Sequence, residues 1–155
     1  MDRSNSLDGF EIPQACLKRS WRVTVQCPLG GAALLQQKLG AGLALNQGAY
    51  DNCLYIRSYG KQTFRALEGS HAGDEGTIQT TDCCEIVLSI PANLDVLQDT
   101  LRIIFKYGVQ EDPTVQIDEM WSSTSYYLDD KENPNRYWNR SDSKEIHGES
   151  SPEKY

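Results

Sequence analysis

The residue types best suited to chemistry are concentrated in one stretch. From Arg65 to Gly76 the chain reads Arg65-Ala66-Leu67-Glu68-Gly69-Ser70-His71-Ala72-Gly73-Asp74-Glu75-Gly76, which combines a fixed cation, three acids, an imidazole and several glycines. Arg65 is a planar bidentate donor, and successive amides around Gly69 and Gly73 can form an anion nest, so this stretch suits a phosphate or carboxylate. Glu68, His71, Asp74 and Glu75 equally offer oxygen and nitrogen donors to a divalent ion, with Cys53 as a soft ligand. A third reading is structural. Arg65 pairs with Glu68 to brace a loop, Thr63 and Phe64 pack on a sheet, and His71 faces solvent. The spacing leaves all three open.

Other constellations carry less. With only His71 and His147 in the chain, no Ser/His/Asp or Cys/His arrangement is visible, and no enzyme activity is expected. Gly30-Gly31 lacks the further glycines and lysine of a phosphate loop. Glu111 and Asp112 read as two solvated acids ahead of a strand, or as a metal or acid–base pair. Cys16, Cys27, Cys53, Cys83 and Cys84 form no C-x-x-C pair and read as reduced, mostly structural thiols. Fifteen Lys+Arg against 22 Asp+Glu give a net charge of -7, which disfavours a general nucleic-acid partner. No apolar run reaches the roughly 18–20 residues of a spanning helix, and Met1–Phe10 lacks signal-peptide order, so a cytoplasmic protein is expected.

The elements that must position these groups lie between Trp21 and Trp121, where most branched and aromatic residues fall. Trp21, Val23, Val25 and Cys27 alternate with polar residues as a half-buried strand does. Pro28 then opens a helical stripe of Leu29, Ala32, Leu35 and Leu39 that stops at Gly40-Ala41-Gly42. Asp51–Ser58 reads as a second strand, Tyr59–Asp82 as a long loop, and Cys83–Ile90 as a third strand. Asn93 caps a helix carrying Leu94, Leu97, Leu101, Ile104 and Phe105, with Gly108 as its stop. Val115 and Ile117 begin a last strand. Residues 1–20 form an extension. Residues 122–155 are polar and read as a disordered tail, although Tyr126, Tyr127, Tyr137 and Trp138 could dock it as an arm.

The order βαββαβ predicts an α+β, ferredoxin-like sandwich: a four-stranded antiparallel sheet with two helices on one face. Its other face is left uncovered. Tyr55 and Val87, on strands expected to pair, make that face suited to burial by another copy, so self-association follows.

Two segments carry a family resemblance. Gly48-Ala49-Tyr50-Asp51-Asn52-Cys53, followed by Gly60-Lys61-Gln62-Thr63-Phe64-Arg65-Ala66-Leu67-Glu68-Gly69-Ser70 and Gly76, resembles the YqfO-type domain, with Glu111-Asp112-Pro113 similar to its closing Glu-Glu-Pro. That domain is found as an insert in NIF-three-like proteins, has stand-alone versions, and is similar in fold to PII and CutA proteins. The resemblance spans residues 21–121. It implies a homo-oligomer, a trimer by preference, that binds a small anionic metabolite, a nucleotide or a divalent metal ion through the 59–82 loop and subunit clefts. Tyr50, Asp51, Thr63, Arg65, Glu68, Gly69 and Ser70 become the ligand-binding candidates. The alternatives it leaves are a CutA-like metal-tolerance protein and a module whose protein partner reads the loop or tail. Gly108-Val109-Gln110 replaces the family's His-Pro-Tyr, and the His-rich segments of full-length NIF-three-like proteins are missing, so a dinuclear-metal hydrolase is not implied.

Overall fold

The computed structural model describes residues 6–48, 50–126, 133–136, 139–142 and 145. Ala49, Tyr127, Tyr137, Trp138, His147 and most of the expected tail lie outside the described residues.

Seven elements follow in order: β1 (Glu11–Ile12), β2 (Ala15–Pro28), α1 (Leu29–Gly42), β3 (Tyr55–Arg65), β4 (Ile78–Pro91), α2 (Leu94–Tyr107) and β5 (Val115–Ser125). All strand pairings are antiparallel. β2 and β4 are central, β3 lies outside β4, β5 pairs with β2, and the short β1 pairs with Ala15 and Cys16. Setting β1 aside, this is the expected ferredoxin-like βαββαβ sheet.

Alternation places the core. Val23, Val25 and Cys27 of β2 share a face with Cys84, Ile86, Leu88 and Ile90 of β4, and Leu35, Leu39 and Ile104 from the helices close over them. On α2 the expected stripe is kept at Leu97 and Ile104, which pack in the core, and lost at other positions. Leu94 and Phe105 are exposed, whereas Thr100 is fully buried. Thr100 tolerates this site because its Oγ1 donates to the Val96 carbonyl at 2.7 Å, so no polar atom is left unpaired. Asn93 caps α2 as expected, its Oδ1 accepting from the amides of Asp95 (2.8 Å) and Val96 (3.3 Å). In α1, Gly31 admits Val109 and Gly42 admits Ile103; a Cβ at either position would lie 2.6–2.8 Å from those side chains.

Three strand boundaries differ from expectation. The second strand begins at Tyr55 rather than Asp51. β2 begins at Ala15 and β5 continues to Ser125, so both run past the apolar segment, with Leu17 paired to Ser123 and Cys16 to Thr124. The largest correction concerns residues 59–82, expected as a loop. β3 extends through Arg65 and β4 begins at Ile78, with Lys61 opposite Asp82, Thr63 opposite Thr80 and Arg65 opposite Ile78. The connection is confined to residues 66–77. This hairpin runs beyond the end of β2, where no helix covers it; Lys61, Thr63, Arg65, Thr80 and Asp82 lie on an exposed face, and the half-buried face holds the mostly polar Gln62, Phe64, Gln79 and Thr81, so the apolar alternation that marks a core strand is lost.

Candidate functional site

The site is built on this projecting hairpin. An irregularity between Arg57 and Gly60 interrupts the β3–β4 register where the hairpin leaves the core, and beyond it pairing resumes. At the tip, the Ser70 amide donates to the Leu67 carbonyl (3.0 Å) and the Thr77 amide to that of Asp74 (3.2 Å). Each turn has a glycine at its third position, Gly69 (φ 89°) and Gly76 (φ 78°), in the left-handed region that glycine adopts without strain. Gly73 (φ 83°) has a second reason to be glycine: a Cβ there would lie 2.7 Å from Gln79 Oε1 and 3.1 Å from Phe64 Cε2. The tip folds back on its own strands.

The α2–β5 connection holds it there. Glu111 reaches the tip with both carboxylate oxygens, Oε1 lying 2.5 Å from His71 Nδ1 and Oε2 accepting from the His71 amide at 3.2 Å. That hydrogen bond, together with the carboxylate charge, raises the His71 pKa and lowers that of Glu111. One residue earlier, Gln110 Nε2 donates to Gln62 Oε1 at 2.6 Å. Gln62 Nε2 in turn donates to Gln26 Oε1 and Thr114 Oγ1, both at 3.3 Å, and Cys83 Sγ lies 3.8 Å from Gln62 Oε1. Gln62 is thus the joint at which the hairpin, β2 and the α2–β5 connection meet. Sequence reasoning missed this joint, because Gln62 and Gln110 are far apart in the chain and a glutamine on a strand carries no local signal.

The expected site residues divide into two groups. Thr63, Arg65, Glu68, Gly69 and Ser70 lie on or beside the tip. Arg65 is exposed at the last position of β3, and the expected Arg65–Glu68 brace is absent: among the described residues Arg65 makes no ion pair. Ser70 Oγ is engaged locally, donating to the Ala72 carbonyl at 2.9 Å and accepting from the Ala72 amide at 3.3 Å. The amides of Gly69 and Gly73 meet no protein acceptor among the described residues. Glu68, Asp74 and Glu75 are exposed, and among the described residues no group of three or more His, Cys, Asp or Glu stands together as a metal site.

Tyr50 and Asp51 form the second group, in the α1–β3 connection. Tyr50 and Gln47 exchange backbone hydrogen bonds at 2.8 and 3.0 Å, and the Cys53 amide donates to the Leu45 carbonyl. Asn52 adopts the left-handed conformation (φ 53°), with its side chain over Gly40 in the space a Cβ would need. No hydrogen bond joins Tyr50 or Asp51 to the tip among the described residues. Cys53 Sγ donates to the Asp51 carbonyl at 3.6 Å. Burial, with Cys84 and Cys83 close by, pushes the Cys27 thiol up to about 11, and burial likewise raises Cys83 and Cys84. These three are held protonated, which suits structural thiols.

Known structures place this fold. A Bacillus cereus protein related to NIF3 matches with a TM-score of 0.56 and 21% identity, over 67% of this chain and 26% of that one. CutA1 from Oryza sativa matches with a TM-score of 0.49 and 15% identity, over 66% and 81%. The Bacillus subtilis GlnK–ATP complex matches with a TM-score of 0.45 and 9% identity, over 66% and 82%. The NIF3-related protein is of the kind that the sequence motifs resemble, and the likeness is one of fold. The chain spans about a quarter of the length of the NIF3-related protein. No family model matches the chain, and no curated protein matches it by sequence. Among the described residues no helix is long and apolar enough to cross a membrane.

Proposed function

We propose that this protein is a non-enzymatic, cytoplasmic, self-associating regulatory module that takes a small anionic metabolite or nucleotide at the tip of the β3–β4 hairpin. The observation that carries the reading is Arg65: an exposed guanidinium without an ion pair, beside a turn whose Gly69 and Gly73 amides have no protein acceptor among the described residues. Five fixed N–H donors and free amides suit a phosphate or carboxylate group. Thr63 shares the Arg65 face of β3 and can add a hydroxyl. Self-association is supported by the helix-free face, where Tyr55 lies opposite Val87 and is largely exposed, and by the outer edges of β3 and β5, which pair with no further strand among the described residues. A trimer is the preferred assembly, in which a cleft between copies would complete the ligand site. Binding would order the tip, and the ordered tip would set which partner docks.

Native mass spectrometry of the full chain, with and without chelator, together with ATP titration of the wild type and Arg65→Ala, tests this. The expected result is a trimer that binds ATP, with Arg65→Ala weakening binding by about 10-fold or more, the scale of a lost charge-assisted hydrogen bond. A monomer, equal ATP affinity in the two proteins, or a bound mass removed by chelator would overturn the reading.

A further inference from the structure

A cavity of about 460 Å³ lies at the end of the sheet remote from the hairpin, lined by Arg19, Trp21, Ala92, Glu119 and Trp121 among others. Strand register explains how it forms. Trp21 is paired with Glu119 and Arg19 with Trp121 across β2 and β5, and alternation sends all four side chains to the face that elsewhere carries the helices. The two indoles occupy one diagonal of this square; Arg19 and Glu119 occupy the other. Trp21 packs at the margin of the core and is held by it.

The charges in this square are not balanced alike. The Arg19 guanidinium lies 5.3 Å from the centroid of the Trp121 ring, and its Nε is 3.4 Å from Asp8 Oδ1. One indole and one carboxylate therefore already answer the only cation in the square. On the other pair, among the described residues Glu119 is exposed and makes no ion pair, and no cation lies over the Trp21 indole beside it.

We propose that this cleft binds a small organic cation carrying a primary ammonium or guanidinium group, seated on the Trp21 indole with Glu119 as its counter-charge. An aromatic face and a carboxylate together attract such a group, since the ring quadrupole and the fixed charge act in the same direction. The volume falls within the range of small-molecule sites, about 300–1,000 Å³. An anion would meet Glu119 and find Arg19 already paired with Asp8, and a neutral apolar ligand would desolvate Glu119 without pairing it. A bare metal ion would find one carboxylate and two indoles, a poor donor set. The overall charge of -7 draws cations to the protein. This site is independent of the anion reading at the hairpin.

Two sources share this chemistry, a free polyamine and a Lys or Arg side chain of another protein. Tryptophan fluorescence of the full chain, titrated with spermidine and separately with a short lysine-containing peptide, distinguishes them, with MgCl2 at matched ionic strength as control. The expected result is a saturable change with one of the two probes, absent with MgCl2, and a loss of affinity of at least 10-fold in Glu119→Gln. Glu119 is exposed, so this isosteric change leaves the fold intact, and circular dichroism checks it. Indole N–H resonances provide a second readout, in which Trp21 shifts more than Trp121. Saturation by neither probe, the same change with MgCl2, or wild-type affinity in Glu119→Gln would overturn the proposal.

Discussion

His71 and Glu111, separated by a strand and a helix in sequence, are joined by two contacts: imidazole to Oε1 and backbone amide to Oε2. The pair fastens the hairpin tip to the α2–β5 connection, and both partners titrate. His71 is raised from an ordinary value of 6.5, so its contribution is complete below 6.5 and is lost as pH rises through the raised value. Glu111 is lowered from 4.5, so its contribution is complete above 4.5 and is lost as pH falls through the lowered value. The fastening is therefore complete between pH 4.5 and 6.5. Hydrogen exchange, corrected for intrinsic rates, should show the His71 amide best protected in that window. Glu111→Gln should flatten the profile and return the His71 titration, followed by NMR, towards its ordinary value. An unchanged His71 titration in that variant would exclude the pair.

Two adjacent glycines in α1 should respond oppositely to alanine. A Cβ on Gly30 meets nothing within 4 Å, whereas one on Gly31 lies 2.7 Å from Val109 Cγ2 and 3.3 Å from its Cβ. Gly30→Ala should stabilise by about 0.5–1 kcal/mol through helix propensity. Gly31→Ala should destabilise by about 1–3 kcal/mol, because Val109 must move. Urea unfolding of both variants decides the matter, and a gain in stability for Gly31→Ala would contradict the packing described.

Asn93→Ala should cost about 1 kcal/mol, since it removes the acceptor for two first-turn amides of α2. Asn93→Ser should recover most of this loss in thermal unfolding. Equal melting of all three proteins would show that the cap contributes nothing.

Cys27, Cys83 and Cys84 should resist alkylation in the folded protein. All three are buried and held protonated, so iodoacetamide at pH 8 should leave them unmodified in minutes and label them once urea is added. Peptide mass mapping before and after unfolding reads this directly. Rapid labelling of Cys84 in the native protein would show that the sheet opens there.

The strands under the helices were legible because burial on one face imposes alternation, as Val23-Thr24-Val25 and Ile86-Val87-Leu88 display. The hairpin arm was not. Lys61, Thr63, Thr80 and Asp82 line its exposed face and Gln62, Gln79 and Thr81 its half-buried one, and there polar residues satisfy the ladder as well as apolar ones. Within the α2 stripe Leu97 and Ile104 were read correctly, but Leu94 and Phe105 are apolar yet exposed and Thr100 is polar yet buried; a hydroxyl bonded to its own helix is invisible to a hydropathy pattern. Arg65 and the tip glycines were legible as a group because they are consecutive. The Gln62 joint and the His71–Glu111 pair were not, because both are made by contacts between segments more than 35 residues apart.

β4 meets β2 only from Cys83 onward, so Ile78–Asp82 and their β3 partners extend past it as a two-stranded arm about 16 Å long, at roughly 3.3 Å per residue. Mechanically the arm has the proportions of a lever, and a hinge at the register break near Gly60 would be opposed by the Gln62 joint at its root and by the His71–Glu111 pair at its tip. A rotation of about 10° at the hinge moves the tip by about 3 Å, comparable to one hydrogen-bond length. A change too small to disturb the packed helices is thus magnified at the far end, and the glutamines at the hinge set how stiffly the arm is held.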